Sequence, residues 1–188
     1  MVGPSAGLLR SDDGGQSFER LSIEQLASIA VDPSNPDVLY AGSANTRGVF
    51  KSTDGGRTLQ QLATSGFIND LAIDPELPRI VYAGSRAGVV IRSIDGGQTF
   101  APAGTGLTGD RVLGLRIDPS RPSRIFAWMH GGGLFRSDDH ADTWTAVDTG
   151  ETLRRSTAQA GQTAMAISGS DPVRVYLGNG SVLQFVNP

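Results

Sequence analysis

At 188 residues the chain has room for one domain, with a core that withdraws roughly 70% of its unfolded surface from water. A net charge of −3, scattered basic residues and no cysteine argue against nucleic acid as a partner and exclude disulfides and thiolate metal sites. No apolar run nears the roughly eighteen residues of a bilayer span, so no membrane insertion is expected, and no secretory signal is visible at Met1.

The chain opens on residues 6–10 and 17–21, which read as two strands around the phrase Ser11-Asp-Asp-Gly-Gly-Gln-Ser-Phe18. Close copies begin at Ser52, Ser93 and Ser137, at spacings of 41, 41 and 44 residues. A period in the forties is the length of one four-stranded β-propeller blade. The 25 glycines, nearly double the usual share of about 7%, suit many short strands and tight turns.

Between the phrases runs a second repeat. Its copies are Ala30-Val-Asp-Pro to Gly42, Ala72-Ile-Asp-Pro to Gly84, Arg116-Ile-Asp-Pro to Trp128, and the more worn Ala166 to Gly178. Each unit predicts four strands. The first is apolar, as in residues 27–31 or 112–117, and stops at Asp-Pro because proline cannot donate to a ladder. The second, as in residues 38–41, is β-branched and aromatic. The third, as in residues 48–51, 89–92 or 133–136, runs into the phrase, which is the turn, and the phrase's last residue begins the fourth.

The predicted fold is therefore all-β, a single propeller domain or propeller arc over 1–188, with blade portions at about 6–24, 27–64, 68–105, 111–149 and 163–188. Three units are complete. The start supplies only a third and fourth strand, and the end a first, second and third (residues 163–167, 174–177 and 182–186). That division either closes a small four-bladed ring through a blade shared by both ends, or marks an arc of a larger propeller, the reading favoured here. Open blade edges make self-association an expectation.

The phrase resembles the Asp-box, or BNR repeat, Ser-x-Asp-x-Gly-x-Thr-Trp, and the resemblance extends over about residues 7–186. It is similar to the superfamily of propellers that includes sialidases, xyloglucan-cleaving glycoside hydrolases, sortilin-like receptors and photosystem II assembly factors. The Asp-Pro repeat is most similar to the xyloglucanase and assembly-factor types. The resemblance implies a bacterial secreted or periplasmic setting and assigns a structural role to the box residues. These are Ser11, Asp13 and Gly15; Ser52, Asp54 and Gly56; Ser93, Asp95 and Gly97; and Ser137, Asp139, Thr143 and Trp144. Within each turn the aspartate accepts backbone N–H bonds and the glycine supplies a positive φ. Four equivalent carboxylates on four blades cannot converge on one centre. Two copies depart from the pattern: Leu59 replaces the aromatic, and Ala141, after His140, replaces the glycine.

Function is expected in the non-repeating loops at the channel mouth. Glu24, Asp70 and Asp110 come from successive inter-blade loops and are weak candidates for a glycosidase pair, which needs two carboxyl groups about 5–9.5 Å apart. Arg47, Arg86, Arg111, Arg154 and Arg155 are candidates for binding an anionic group. The sialidase type implies a spare tyrosine nucleophile, whereas Tyr40, Tyr82 and Tyr176 all fall on one repeat position. Trp128 and His130, beside a run of glycines, are candidates for sugar stacking or partner contact, with channel filling as the alternative for Trp128. The long polar segment at 149–162 is a candidate contact loop. No cofactor or metal site is predicted. The expectation is a non-catalytic scaffold that binds a protein or glycan, with a glycoside hydrolase fragment or an assembly factor as the other readings.

Overall fold

The computed structural model describes residues 7–45, 47–62, 64–148, 164–169, 173–178 and 182–186. Seventeen strands form five antiparallel sheets, and no helix occurs among the described residues. The first sheet has two strands, β1 (Leu8–Arg10) and β2 (Glu19–Ser22). Three four-stranded sheets follow. One contains β3 (Leu26–Asp32), β4 (Asn35–Ser43), β5 (Val49–Ser52) and β6 (Gln60–Gln61). The next contains β7 (Ile68–Ile73), β8 (Val81–Ser85), β9 (Val90–Ser93) and β10 (Ala101–Pro102). The third contains β11 (Arg111–Ile117), β12 (Ile125–His130), β13 (Gly133–Ser137) and β14 (Thr145–Ala146). The last sheet has β15 (Ala164–Ile167), β16 (Arg174–Gly178) and β17 (Val182–Val186).

Each full sheet is an up-and-down meander in chain order, which is a propeller blade, and the blades stand side by side in an open arc. Among the described residues no strand pairing joins the first sheet to the last. The first strands neighbour one another, β7 lying against β3 and β11, and β11 against β15. Each of β3, β7 and β11 carries one extra residue relative to its partner, at Ala27, Asn69 and Leu113. These bulges bend the innermost strand at the same height in every blade.

The strand ends differ slightly from the sequence reading. In the first blade, β4 begins at Asn35 because the chain turns over Pro33-Ser34 and Asp32 pairs directly with Asn35. In the three full blades the fourth strands are only two residues long and begin one residue after the phrase ends.

The core is a series of seams, since a blade has two apolar faces and each needs a neighbour. Tyr40 and Val49 of the first blade meet Ile68, Leu71 and Val81 of the second. Tyr82 and Val90 of the second meet Val112, Leu115 and Trp144 of the third. Phe126, Trp128 and Leu134 of the third meet Met165, Val175 and Leu177 of the last sheet. Burying one such side chain contributes about 1.5–3 kcal/mol.

Candidate functional site

The repeated turns occupy one face of the arc. In the Ser52 turn the serine hydroxyl donates to Asp54 Oδ1 at 2.8 Å and accepts the Gly56 N–H at 2.9 Å. Asp54 Oδ1 also accepts the Thr58 N–H, and the Thr58 hydroxyl donates to Oδ2 at 2.7 Å. Ser11, Asp13 and Gly15, Ser93, Asp95 and Gly97, and Ser137, Asp139 and Ala141 repeat the arrangement. Hydrogen bonds from Thr58, Thr99 and Thr143 hold the Asp54, Asp95 and Asp139 carboxyls down at about 2, and those from Ser17 and Ser11 hold Asp13 well below the usual range. Such carboxylates stay ionised and have no proton to donate. The fourth turn keeps the backbone without its glycines, with His140 at φ 59° and Ala141 at φ 70°. There the methyl group of Ala141 is buried in the seam with the second blade.

The Ser93 and Ser137 turns also close a seam. In each, a carbonyl is gripped by two side chains of the preceding blade, a tyrosine from the second strand and a cation from the third. Tyr40 donates to the Gly96 oxygen at 2.8 Å and Lys51 to the same oxygen at 2.7 Å. Tyr82 and Arg92 donate to the His140 oxygen in the same way. At the first blade, Arg10 donates to the Gly55 oxygen at 3.2 Å.

The opposite face carries the inter-blade loops and most of the candidate residues. Glu24 is ion-paired with Arg47, whose guanidinium lies 5.1 Å from the centroid of the Phe50 ring. Asp110 Oδ1 lies 2.7 Å from His130 Nδ1, and that bond holds the Asp110 carboxyl below the ordinary range. Arg86 is exposed and stacks over the Phe67 ring at 5.1 Å. Its loop abuts the one carrying Arg111, since a Cβ on Gly88 would fall 2.7 Å from the Gly109 oxygen. Arg111 Nε is buried there without a hydrogen-bond partner.

Two candidates fall elsewhere. Asp70 does not stand free on the loop face. Its Oδ2 accepts the Leu115 N–H at 2.9 Å and an Arg116 N–H at 2.7 Å, which clips the second blade to the third. Trp128 is 1% exposed in the seam with the last sheet, so its ring cannot stack on a sugar or a partner. This corrects the binding role considered for it. It packs because β12 alternates sides and Trp128 faces the neighbouring blade. Arg154 and Arg155, with the segment 149–162, lie outside the described residues. Glu24, Asp70 and Asp110 are each held by a different cation or ring: Arg47, Arg116 and His130.

Arg116 was absent from the sequence candidates. It reaches both ways, donating through Nε to the Met165 oxygen at 2.8 Å and through Nη1 to Asp70 and the Leu115 oxygen. One side chain thus touches three successive sheets. It borders a groove of roughly 380 Å³ along the first strands, whose other walls include Val31, Ile73, Ile117 and Ile167. The available signal was its repeat position, where Ala30, Ala72 and Ala166 stand in the sister units. Among the described residues no His, Asp or Glu cluster could hold a metal ion.

No protein-family model matches the chain, and no curated protein matches it. Solved structures do, and they share its fold. The Niastella koreensis GH74 enzyme superposes with a TM-score of 0.73 at 20% identity, over 97% of this chain and 33% of its own length. The GH74 xyloglucanase of Xanthomonas campestris gives 0.67 at 21%, over 96% of this chain and 32% of its own. YCF48 from Cyanidioschyzon merolae gives 0.60 at 19%, over 87% and 53%. YCF48 bound to a D1 peptide gives 0.58 at 12%, over 87% and 51%. The chain spans about a third of the GH74 structures and about half of YCF48.

Proposed function

We propose that the chain is a non-catalytic Asp-box, or BNR-repeat, propeller scaffold that binds an acidic protein segment on its inter-blade loop face. One observation carries the reading. Arg86 presents an exposed guanidinium on the Phe67 ring with no ion pair among the described residues, while Glu24, Asp70 and Asp110 are each engaged by a neighbour. A stacked guanidinium is pre-organised to take a carboxylate in its planar fork. Arg111, on the touching loop, supplies a second cation. Hydrolysis needs one protonated and one charged carboxyl facing the same bond, whereas the Asp110 carboxyl is pushed the wrong way for an acid. The peptide bound by YCF48 supports a protein segment as the ligand class. The reading therefore favours the assembly-factor type over the hydrolase type.

Fluorescence anisotropy with labelled hexaglutamate and hexaglutamine peptides tests it. Hexaglutamate should bind, and should weaken about tenfold in Arg86→Ala and on raising salt from about 50 to about 500 mM. Equal binding of both peptides would overturn it, as would release of reducing ends from xyloglucan that Asp110→Asn abolishes.

A further inference from the structure

Three loops of the inter-blade face stack in sequence, and one proton changes the charge they share. Residues 86–88 of the second blade lie against the loop before β11, where a Cβ on Gly88 would fall 2.7 Å from the Gly109 oxygen. That loop lies in turn against the one after β12, where a Cβ on Gly109 would fall 2.6 Å from the His130 oxygen. A Cβ on Gly132 would fall 1.9 Å from the Thr108 oxygen. Glycine at 109 and 132 thus lets the two backbones approach more closely than a side chain permits.

That closeness fixes Asp110 to His130 at two points. The Asp110 N–H donates to the His130 oxygen at 3.3 Å, and its carboxylate lies 2.7 Å from ring Nδ1. The bond to the ring holds the Asp110 carboxyl below its ordinary range, and an ionised carboxylate only accepts. Nδ1 therefore carries the hydrogen, which leaves Nε2 of the neutral ring with a bare lone pair. Among the described residues Nε2 is neither partnered nor buried. A bare lone pair repels a carboxylate oxygen, whereas a protonated Nε2 donates to it.

Few charges face the ring among the described residues. Asp110 bonds it, Arg111 stands directly across the β11–β12 ladder from His130, and glycines 131–133 add none. Arg86 belongs to the adjoining loop of the second blade. With a neutral ring these loops hold two cations and one anion, a net +1, and a protonated ring makes it +2.

We infer that His130 is a proton-gated third anchor for the acidic segment, its Nε2 donating to a ligand carboxylate once the ring is charged. The gate presupposes the acidic-segment reading of this face and adds the condition under which the face engages. Histidine changes charge between about pH 5 and 8, so the loops take hold of their ligand as the surroundings acidify.

Fluorescence anisotropy with labelled hexaaspartate, whose carboxyls stay mostly ionised above about pH 5, separates the two. At one salt concentration the wild type should bind it about fivefold more tightly at about pH 5.5 than at about pH 8. In His130→Gln that ratio should fall to about one. Asp110→Asn gives the loops the same net +2 with a neutral ring, and at about pH 8 it should bind about fivefold more tightly than wild type, a gain that misfolding cannot mimic. Wild-type binding that is equal at the two pH values would overturn the gate and leave the acidic-segment reading standing. So would a fivefold gain that persists in His130→Gln, or an Asp110→Asn variant that binds no more tightly than wild type. Hexaaspartate that binds at neither pH would overturn both.

Discussion

The first and second seams use the same backbone and differently charged side chains. At the position after the bulge, the second blade has Asp70, which accepts the Leu115 N–H and an Arg116 N–H from the third. The first blade has Ser28 there, and its hydroxyl is buried without a partner, while Ala72 stands where the next unit has Arg116. At this position one seam is thus fastened by a partly buried ion pair on a backbone amide, while the other has no such clip and keeps its polar contacts at the Gly96 turn. The difference teaches that the repeat specifies how blades stack, while individual character enters where sister positions diverge.

Replacing Asp70 is the hardest test of that contrast. Asp70→Ala leaves Arg116 and the Leu115 N–H without their acceptor at a 17% exposed site, and should cost about 2–3 kcal/mol in urea unfolding. Arg116→Met should cost less, about 1–2 kcal/mol, because the half-exposed guanidinium is only partly desolvated. In a double-mutant cycle the two losses should fall short of additive, and full additivity would show that the pair is not a unit.

At His140, φ 59° makes glycine the better residue, and His140→Gly should raise stability by about 0.5–1 kcal/mol in the same assay. Ala141→Gly should do less, because the relief is offset by the loss of a buried methyl group. At the first seam the sign should reverse relative to Asp70. Ser28→Ala removes a buried hydroxyl with no partner and should leave stability unchanged or raise it by up to about 1 kcal/mol.

Acid offers a check on the turns that both seams share. The Asp54, Asp95 and Asp139 carboxyls are depressed from 3.8 to about 2, so the folded state holds fewer protons than the unfolded chain between those values. Their contribution is whole above about pH 4 and is lost as pH falls toward 2. Asp95→Asn should flatten the acid limb of the unfolding profile, and an unchanged slope would show that these bonds do not favour the ionised form.

Much of the architecture was legible because it is written repeatedly. The Asp-Pro stops and the four phrases each report a local event, a strand ending or a turn closing, and local events leave local signatures. The Asp70–Arg116 clip was not legible, since its members lie 46 residues apart and meet only once two blades are stacked. Trp128 misled for a related reason: its departure from the glycine of its sister units marked a larger plug for the last seam, which sequence cannot tell from an exposed anchor. The Glu24–Arg47 and Asp110–His130 pairs join loops that were rightly grouped on one face, but which group neutralises which depends on how those loops fold over each other.

The two-residue fourth strands have a consequence for wear. β6, β10 and β14 are each tied to the blade by a minimal ladder, and β10 ends in Pro102, which has no N–H to offer. The outer rim is therefore where amide protons should exchange soonest and where a protease or an inserted sequence meets least resistance. It is also a poor template for a foreign strand, since each of these edges offers only two residues to pair with.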